Sequence, residues 1–185
     1  TEAGHRVSLY EKSADIGGQL WMAGAPPHKR EILEYIRYYW AMIRKLQIPL
    51  YLNTDVDLEL IQSENPAFVL IAEGAEALLP PIPGATNPGV FNAWEVLRGN
   101  PLLGKRVAII GGGAVGLETA LFAAAKGTIT PEILHFLFTY EAESVERLRE
   151  LMFQGSSSVT VFEMLPKAGQ DIGKRGNTDG IGIKV

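Results

Sequence analysis

The chain has 185 residues, of which 46% are hydrophobic and 21% charged, a composition typical of a soluble globular protein with one or two domains. Its net charge of -4 and scattered basic residues argue against nucleic acid or an anionic membrane as a partner. It has no cysteine, which excludes disulfides, thiolate metal sites and a redox-active cysteine pair and agrees with a cytoplasmic location.

The first part of the chain predicts strands alternating with helices. Residues 6–10 alternate and are rich in β-formers, and Glu11 stands at their end. The continuous apolar run at 67–72 predicts a buried parallel strand. The predicted elements are, in order, a strand over 6–10, a helix over 29–46, a strand over 48–52, a helical turn over 57–63 and a strand over 67–72.

A proline-rich segment over residues 79–84 predicts a stiff linker between two structural units, because proline fixes its own φ and restricts the residue before it. Beyond the linker, the predicted elements are a short strand and turn over 90–97, a strand over 106–110, a helix over 114–126, helices over 131–140 and 144–153 and a strand over 159–162. The tail from residue 174 is rich in glycine and predicts no element.

A glycine turn is the most informative motif. A strand is followed by Gly111, Gly113 and Gly116 in the spacing G-x-G-x-x-G, and a helix comes next. In a dinucleotide-binding unit the first glycine permits the tight turn, the second lets the main chain approach a pyrophosphate, and the third lets helix and strand pack closely. The helix N-terminus then offers N–H groups to the phosphates. We predict a nucleotide site here; the alternative is a purely structural turn.

The acid that should bind the adenosine ribose about 20 residues later is missing at that distance. The nearest strand that ends in an acid places Glu163 47 residues after Gly116. We predict an insertion over residues 128–158 and a ribose-binding Glu163, which favours NAD(H) over NADP(H) because a carboxylate repels a 2′-phosphate. Alternatively, Glu163 merely ends a strand in solvent.

A predicted strand followed by an acid occurs in both halves of the chain. The segment Val-Ser-Leu-Tyr-Glu ends at Glu11, and Val-Thr-Val-Phe-Glu ends at Glu163. Glu11 and the loop around Gly17 and Gly18 fit the second strand of an FAD-binding unit. Its first strand and glycine turn would precede Thr1, so we expect these 185 residues to be a segment of a longer protein that binds flavin poorly by itself.

An ordered set of segments carries a family resemblance. The segments are GHRVSLYEKSADIGGQL, APPHKREILEYIRYY, LIAEGA, PPIPG, NAWEVL, GKRVAIIGGGAVGLETA and VTVFEMLPKAGQDIG. In them the chain resembles the C-terminal region of the NADH:flavin oxidoreductases that include 2,4-dienoyl-CoA reductase and trimethylamine dehydrogenase.

The resemblance implies an α/β fold with Rossmann-like units and parallel sheets, incomplete at both ends. Residues 1–82 would belong to an outer domain that binds FAD, or only ADP, and residues 84–185 to an inserted NAD(P)-binding domain. Hydride would pass from NAD(P)H to FAD and electrons onward to an N-terminal barrel, the expected partner, which would carry FMN and an iron–sulfur cluster. Two departures are Glu73, where the family usually has threonine, and the end of the chain soon after residue 173.

Three functions stay open. The first is a hydride-transferring module of an oxidoreductase, the second a non-catalytic module with ADP as structural glue, and the third a docking piece that uses residues 128–158. We expect no catalytic acid, nucleophile or metal ligand, since the cofactors supply the chemistry. The predicted cofactor-binding residues are Glu11, Lys12, Gly17, Gly18, Gln19, Leu20, Ala72, Gly74, Gly111, Gly113, Ala114, Val115, Gly116 and Glu163.

Overall fold

A computed structural model of the chain describes residues 1–170 and 172. The chain forms two compact units, Thr1–Leu78 and Leu79–Val185. The glycine-rich tail from residue 174 lies outside the described residues. The division into an outer FAD-type domain and an inserted nicotinamide domain stays a prediction.

The first unit is built around a parallel pair of short strands. Its elements are β1 (Leu9–Tyr10), α1 (Leu20–Ala23), α2 (Glu31–Lys45), β2 (Leu50–Tyr51) and α3 (Leu58–Glu64). Leu9 pairs with Leu50 and Tyr10 pairs with Tyr51. The rings of the two tyrosines stack with 4.7 Å between their centroids. Ile36 of α2 is 2% exposed and forms the centre of this small core. The sequence predicted α2 and α3 well but gave no sign of α1.

The prediction of a buried strand over residues 67–72 is wrong. No strand forms there, and the side chains of Phe68, Leu70 and Ile71 are 82–93% exposed. A strand buried on both faces requires neighbouring strands and covering helices. Within the described part of the first unit the sheet contains only β1 and β2, so the run has no neighbour to pair with.

The second unit contains a longer parallel pair. Its elements are α4 (Ala93–Leu97), β3 (Arg106–Ile110), α5 (Ala114–Ala125), α6 (Pro131–Thr139), α7 (Val145–Phe153) and β4 (Ser158–Phe162). Five consecutive residues of β3 pair with five of β4, from Arg106 opposite Ser158 to Ile110 opposite Phe162. Helix α5 packs on both strands and buries Leu117 and Ala123. Parallel strands joined through helices make the fold α/β, as the sequence predicts.

Residues 90–97 were expected to form a strand and turn, and this is wrong: they contain α4. Asn92 caps the helix by accepting a hydrogen bond from the Glu95 amide at 3.0 Å, and the Glu95 carboxylate accepts one from the Asn92 amide at 2.8 Å. This reciprocal capping box stabilises a helix of only five residues, although Trp94 and Val96 within it are β-forming residues.

The helices of residues 128–158 form as the sequence predicts. The Thr130 hydroxyl accepts a hydrogen bond from the Ile133 amide, and Pro131 occupies the first turn of α6. The Ser144 hydroxyl caps α7 in the same way through the Arg147 amide. Helix α7 buries Leu148, whereas α6 has no buried residue. None of the helices in the described part of the chain combines the length and the apolar sequence needed to cross a membrane.

Candidate functional site

The glycine turn connects the end of β3 to the start of α5. Gly111 follows the last residue of β3 and has a φ of 101°, a left-handed conformation that residues with a Cβ rarely adopt. Its amide donates to the Phe162 carbonyl at 2.8 Å, which continues the β3–β4 ladder into the turn. A Cβ on Gly116 would overlap the carbonyl oxygen of Gly111. The first and third glycines are therefore needed for the turn and for helix–strand contact.

Gly113 is the N-cap residue of α5, with φ -72° and ψ -175°. Ala114 and Val115 follow as the first residues of the helix, and both are exposed. The first N–H groups of a helix have no partner within the helix and carry partial positive charge. The start of α5 thus presents donors at an exposed surface, as an anion-binding turn requires.

Glu163 lies beside this turn although it is 51 residues from Gly112. One carboxylate oxygen accepts a hydrogen bond from the Gly112 amide at 2.6 Å, and the other accepts from the Leu165 amide at 2.8 Å. Hydrogen bonds from the amides of Leu165 and Gly112 lower the pKa of this carboxyl, and partial desolvation opposes them. Glu163 is therefore a fixed negative charge next to the glycine turn.

Gly112 is a site residue that the sequence analysis missed. It is buried, its amide binds Glu163, and its carbonyl accepts a hydrogen bond from the Gly169 amide at 2.8 Å. Both peptide groups that flank Gly112 are therefore tied to the segment after β4. The only signal in the sequence is that the first variable position of the motif is also a glycine.

In the first unit, Glu11 repeats the local geometry of Glu163. Its carboxylate accepts a hydrogen bond from the Ser13 amide, two residues later, at 2.8 Å, as Glu163 does from Leu165. Its own amide donates to the Tyr51 carbonyl, so Glu11 stands at the end of the β1–β2 pair. Each parallel pair of strands thus ends in a half-buried acid with the same local contact.

The predicted loop glycines support the small core beside this acid. Gly17 has a φ of 109°, and a Cβ there would lie 2.9 Å from Cδ1 of Ile36. Gly18 has a φ of 44° and open space around it. Leu20 starts α1 and is half-buried. The structure therefore gives Gly17 a packing role and leaves Gly18 accessible.

A partly open cavity of about 270 Å³ lies in the first unit, lined by Lys12, Glu73, Gly74, Ala75 and Glu76. Gln19 joins the glycine loop to this wall, because its Nε2 donates to the Ala75 carbonyl at 3.0 Å. Gly74 has a φ of 78°. The structure brings Lys12, Gln19 and Gly74 together, whereas Ala72 is exposed in the neighbouring segment and does not line the cavity.

The residues that line this cavity include two glutamates and one lysine. Glu73, the departure from the family pattern, is one of them. The described residues contain no group of three or more His, Cys, Asp or Glu side chains that could hold a metal ion.

Comparison with known proteins places the chain among oxidoreductases. Residues 38–175 match the family model described as pyridine nucleotide-disulphide oxidoreductase. The chain is similar to a metal reductase of Desulforamulus reducens, with 39% identity over 92% of this chain and 26% of that protein. It is also similar to an NADH oxidase of Thermoanaerobacter brockii, with 34% identity over 95% of this chain and 29% of that protein.

A bilirubin reductase of Mediterraneibacter gnavus shares 38% identity over 82% of this chain and 23% of its own length. Among solved structures, a complex of 2-naphthoyl-CoA reductase with 2-naphthoyl-CoA aligns with a TM-score of 0.62 and 28% identity, over 86% of this chain and 29% of that chain. The chain therefore spans about a quarter of the length of the proteins it matches. The family resemblance read from the sequence is confirmed.

Proposed function

The chain belongs to the pyridine nucleotide-disulphide oxidoreductase family, and from this membership we propose that it is the dinucleotide-binding module of a multidomain NAD(P)H:flavin oxidoreductase. In this proposal the second unit binds NAD(P)H, the first unit binds FAD, and hydride passes from one to the other. The barrel with FMN and an iron–sulfur cluster would belong to the remainder of the longer protein.

The contact between Gly112 and Glu163 is the observation that carries the proposal for the second unit. It joins the glycine turn after β3 to the acid after β4, and these are the two features that hold the pyrophosphate and the adenosine ribose in a Rossmann-like unit. The turn is also the right shape for this task, because Gly111 needs its left-handed φ and Gly116 has no room for a Cβ. The residues present therefore fit a dinucleotide.

The second unit would prefer NADH to NADPH. Both oxygens of Glu163 are held by backbone amides, and its pKa is lowered, so the carboxylate is ionised at neutral pH. Each oxygen can accept a second hydrogen bond, which allows it to bind the ribose hydroxyls. A 2′-phosphate at the same place would meet a fixed negative charge and be repelled.

In the first unit, Glu11 would bind the adenosine ribose of FAD. Lys12 and the backbone around Gly74 would line its binding cleft, with Gln19 holding the two sides together. Hydride transfer is the chemistry that the bound cofactors supply. In this proposal the residues of this chain bind and orient the nucleotides, and the hydride transfer requires no general acid or nucleophile from them.

A substitution at Gly113 tests the proposed site for the nicotinamide nucleotide. Gly113→Val places a branched side chain at the start of α5, where the pyrophosphate would approach the main chain, so NADH affinity should fall by at least about tenfold. The measurement is calorimetric titration of wild type and variant with NADH. Gly104→Val, at an exposed glycine with open space around it, is the control and should bind normally. Equal affinities of the two variants would contradict the proposal.

The second candidate function is a non-catalytic module in which bound ADP stabilises the fold of the first unit. Its support is the cavity beside Lys12, which at about 270 Å³ is at the small end for ligand pockets and has room for only part of a dinucleotide. Denaturing the purified protein and identifying the released nucleotide separates the two. FAD with its yellow colour supports the hydride-transferring module, and ADP from colourless protein supports the structural one.

A further inference from the structure

We propose that Gly112, at the first variable position of the glycine motif, is a positioning residue that sets the preference for NADH over NADPH by leaving room for the Glu163 carboxylate. The motif itself makes no demand for glycine at this position. The inference rests on the proposed nicotinamide site of the second unit and assigns a role to a residue that the motif leaves free.

Steric space, and not backbone conformation, makes glycine necessary here. The φ of Gly112 is outside the left-handed region, unlike that of Gly111. A Cβ on Gly112 would lie 2.9 Å from Oε2 of Glu163, 3.1 Å from Cβ of Ala168 and 3.2 Å from Cβ of Glu163. All three distances are shorter than ordinary van der Waals contacts. The carboxylate oxygen is the end of a flexible side chain and can rotate away, whereas the two Cβ contacts require shifts of a few tenths of an ångström in the segment after β4. A side chain at residue 112 would therefore compete first with the carboxylate.

The carboxylate is the neighbour that can yield. Gly112 is buried, and its carbonyl is tied to the Gly169 amide at 2.8 Å, so the main chain of the turn is held in place. The end of the Glu163 side chain can rotate, because only hydrogen bonds hold it and the residue is half-buried. Gly112→Ala should thus leave the turn folded and push the carboxylate away from the ribose position.

The effect of this displacement differs between the two nucleotides. NADH loses hydrogen bonds to its ribose, whereas NADPH loses the repulsion between the carboxylate and the 2′-phosphate. We expect Gly112→Ala to weaken NADH binding by about tenfold, as for a lost hydrogen bond to a charged group, and to strengthen NADPH binding. A role in folding alone would weaken both nucleotides equally and leave the affinity ratio unchanged.

The experiment is calorimetric titration of the full chain with NADH and with NADPH in wild type, Gly112→Ala, Glu163→Gln and the double variant. Gly104→Ala is the matched control, since a Cβ there meets nothing within 4 Å. The ratio of the two affinities should fall in Gly112→Ala and stay at the wild-type value in Gly104→Ala. In the Glu163→Gln background, Gly112→Ala should have no further effect on the ratio, because it acts through the carboxylate.

Other outcomes overturn the inference in distinguishable ways. An unchanged ratio of NADH to NADPH affinity in Gly112→Ala would contradict the role of Gly112 and leave the proposed function intact. A wild-type chain that binds neither nucleotide overturns the proposed function together with the inference. Should Gly112→Ala fail to fold, Glu163→Asp withdraws the carboxylate by one methylene while Gly112 keeps its amide; an unchanged ratio in that variant also overturns the inference.

Discussion

Glu163 shows at the scale of one residue how a surface acid becomes part of a site. The side chain is half-buried, yet two backbone amides from different parts of the chain fix both of its oxygens. The sequence predicted its role from the strand that precedes it and left open that it merely ends a strand in solvent. The contact with Gly112 supports the ribose-binding interpretation, which stays a prediction until a nucleotide is bound.

The pH dependence of stability follows from the lowered pKa of Glu163. Because the folded-state pKa lies below the unfolded value of about 4.3, the ionised carboxylate stabilises the fold above that value. This stabilisation is lost as the pH falls through the folded-state pKa. Urea midpoints of wild type and Glu163→Gln should therefore differ at pH 7 and converge once the pH falls below the folded-state pKa. A constant gap between the two proteins across this range would show that Glu163 does not interact as described.

At the scale of elements, the contact of α5 with β3 depends on Gly116. Alanine there would improve helix propensity by about 1 kcal/mol. Its Cβ would also overlap the carbonyl oxygen of Gly111, and overpacking costs about 1–3 kcal/mol. Because the obstacle is main chain that cannot rotate away, the steric term should win. We expect Gly116→Ala to lower the free energy of unfolding by up to about 2 kcal/mol, the difference between the two terms.

Urea denaturation of the Gly116→Ala variant measures this effect. Gly104→Ala is again the control, because its Cβ would meet nothing, and its midpoint should match that of wild type. A Gly116→Ala variant as stable as the control would mean that α5 can move away from β3 at no cost. In that case close helix–strand contact would not explain the third glycine.

The two units differ in how far their elements are supported. In the second unit five pairs of residues join β3 to β4, and α5 packs on both strands. In the first unit two pairs join β1 to β2, and the apolar run over residues 67–72 is exposed. A two-stranded sheet is marginally stable without further strands or packed helices. The second unit is therefore the better supported of the two proposed nucleotide sites.

At the scale of the whole molecule this difference predicts unequal binding of the two cofactors. Among residues 1–170 and 172, one strand–glycine turn–helix motif is present, in the second unit. The first unit offers Glu11 and a small cavity but no such turn. Full-chain protein should consequently bind NADH measurably and retain less than stoichiometric FAD. Absorbance in the flavin band after dialysis against buffer measures the retained FAD.

Stoichiometric FAD after dialysis would contradict this prediction. It would mean that Glu11, Lys12 and the segment around Gly74 hold the dinucleotide without a glycine turn. The variant Glu73→Thr should be measured beside the wild type, because it removes a carboxylate from the residues that line the cavity. Stronger FAD retention by Glu73→Thr would indicate that repulsion by this charge, and not only the missing turn, weakens binding.

The sequence by itself determined the elements whose signals are local. The strand β3 and the helix α5 follow from apolar patterning around the glycine motif, and α6 and α7 follow from their capping residues Thr130 and Ser144. The family is likewise readable from ordered motifs. These features depend on residues that are close in the sequence, so they can be predicted from the sequence alone.

Only the tertiary structure decided which distant residues meet. The apolar run at 67–72 remained exposed because a strand needs neighbours that local sequence does not specify. The parallel register of β3 and β4 brings Glu163 to Gly112 across 51 residues. The need for glycine at residue 112 arises from the approach of Glu163 and Ala168, because steric exclusion depends on what lies nearby in space.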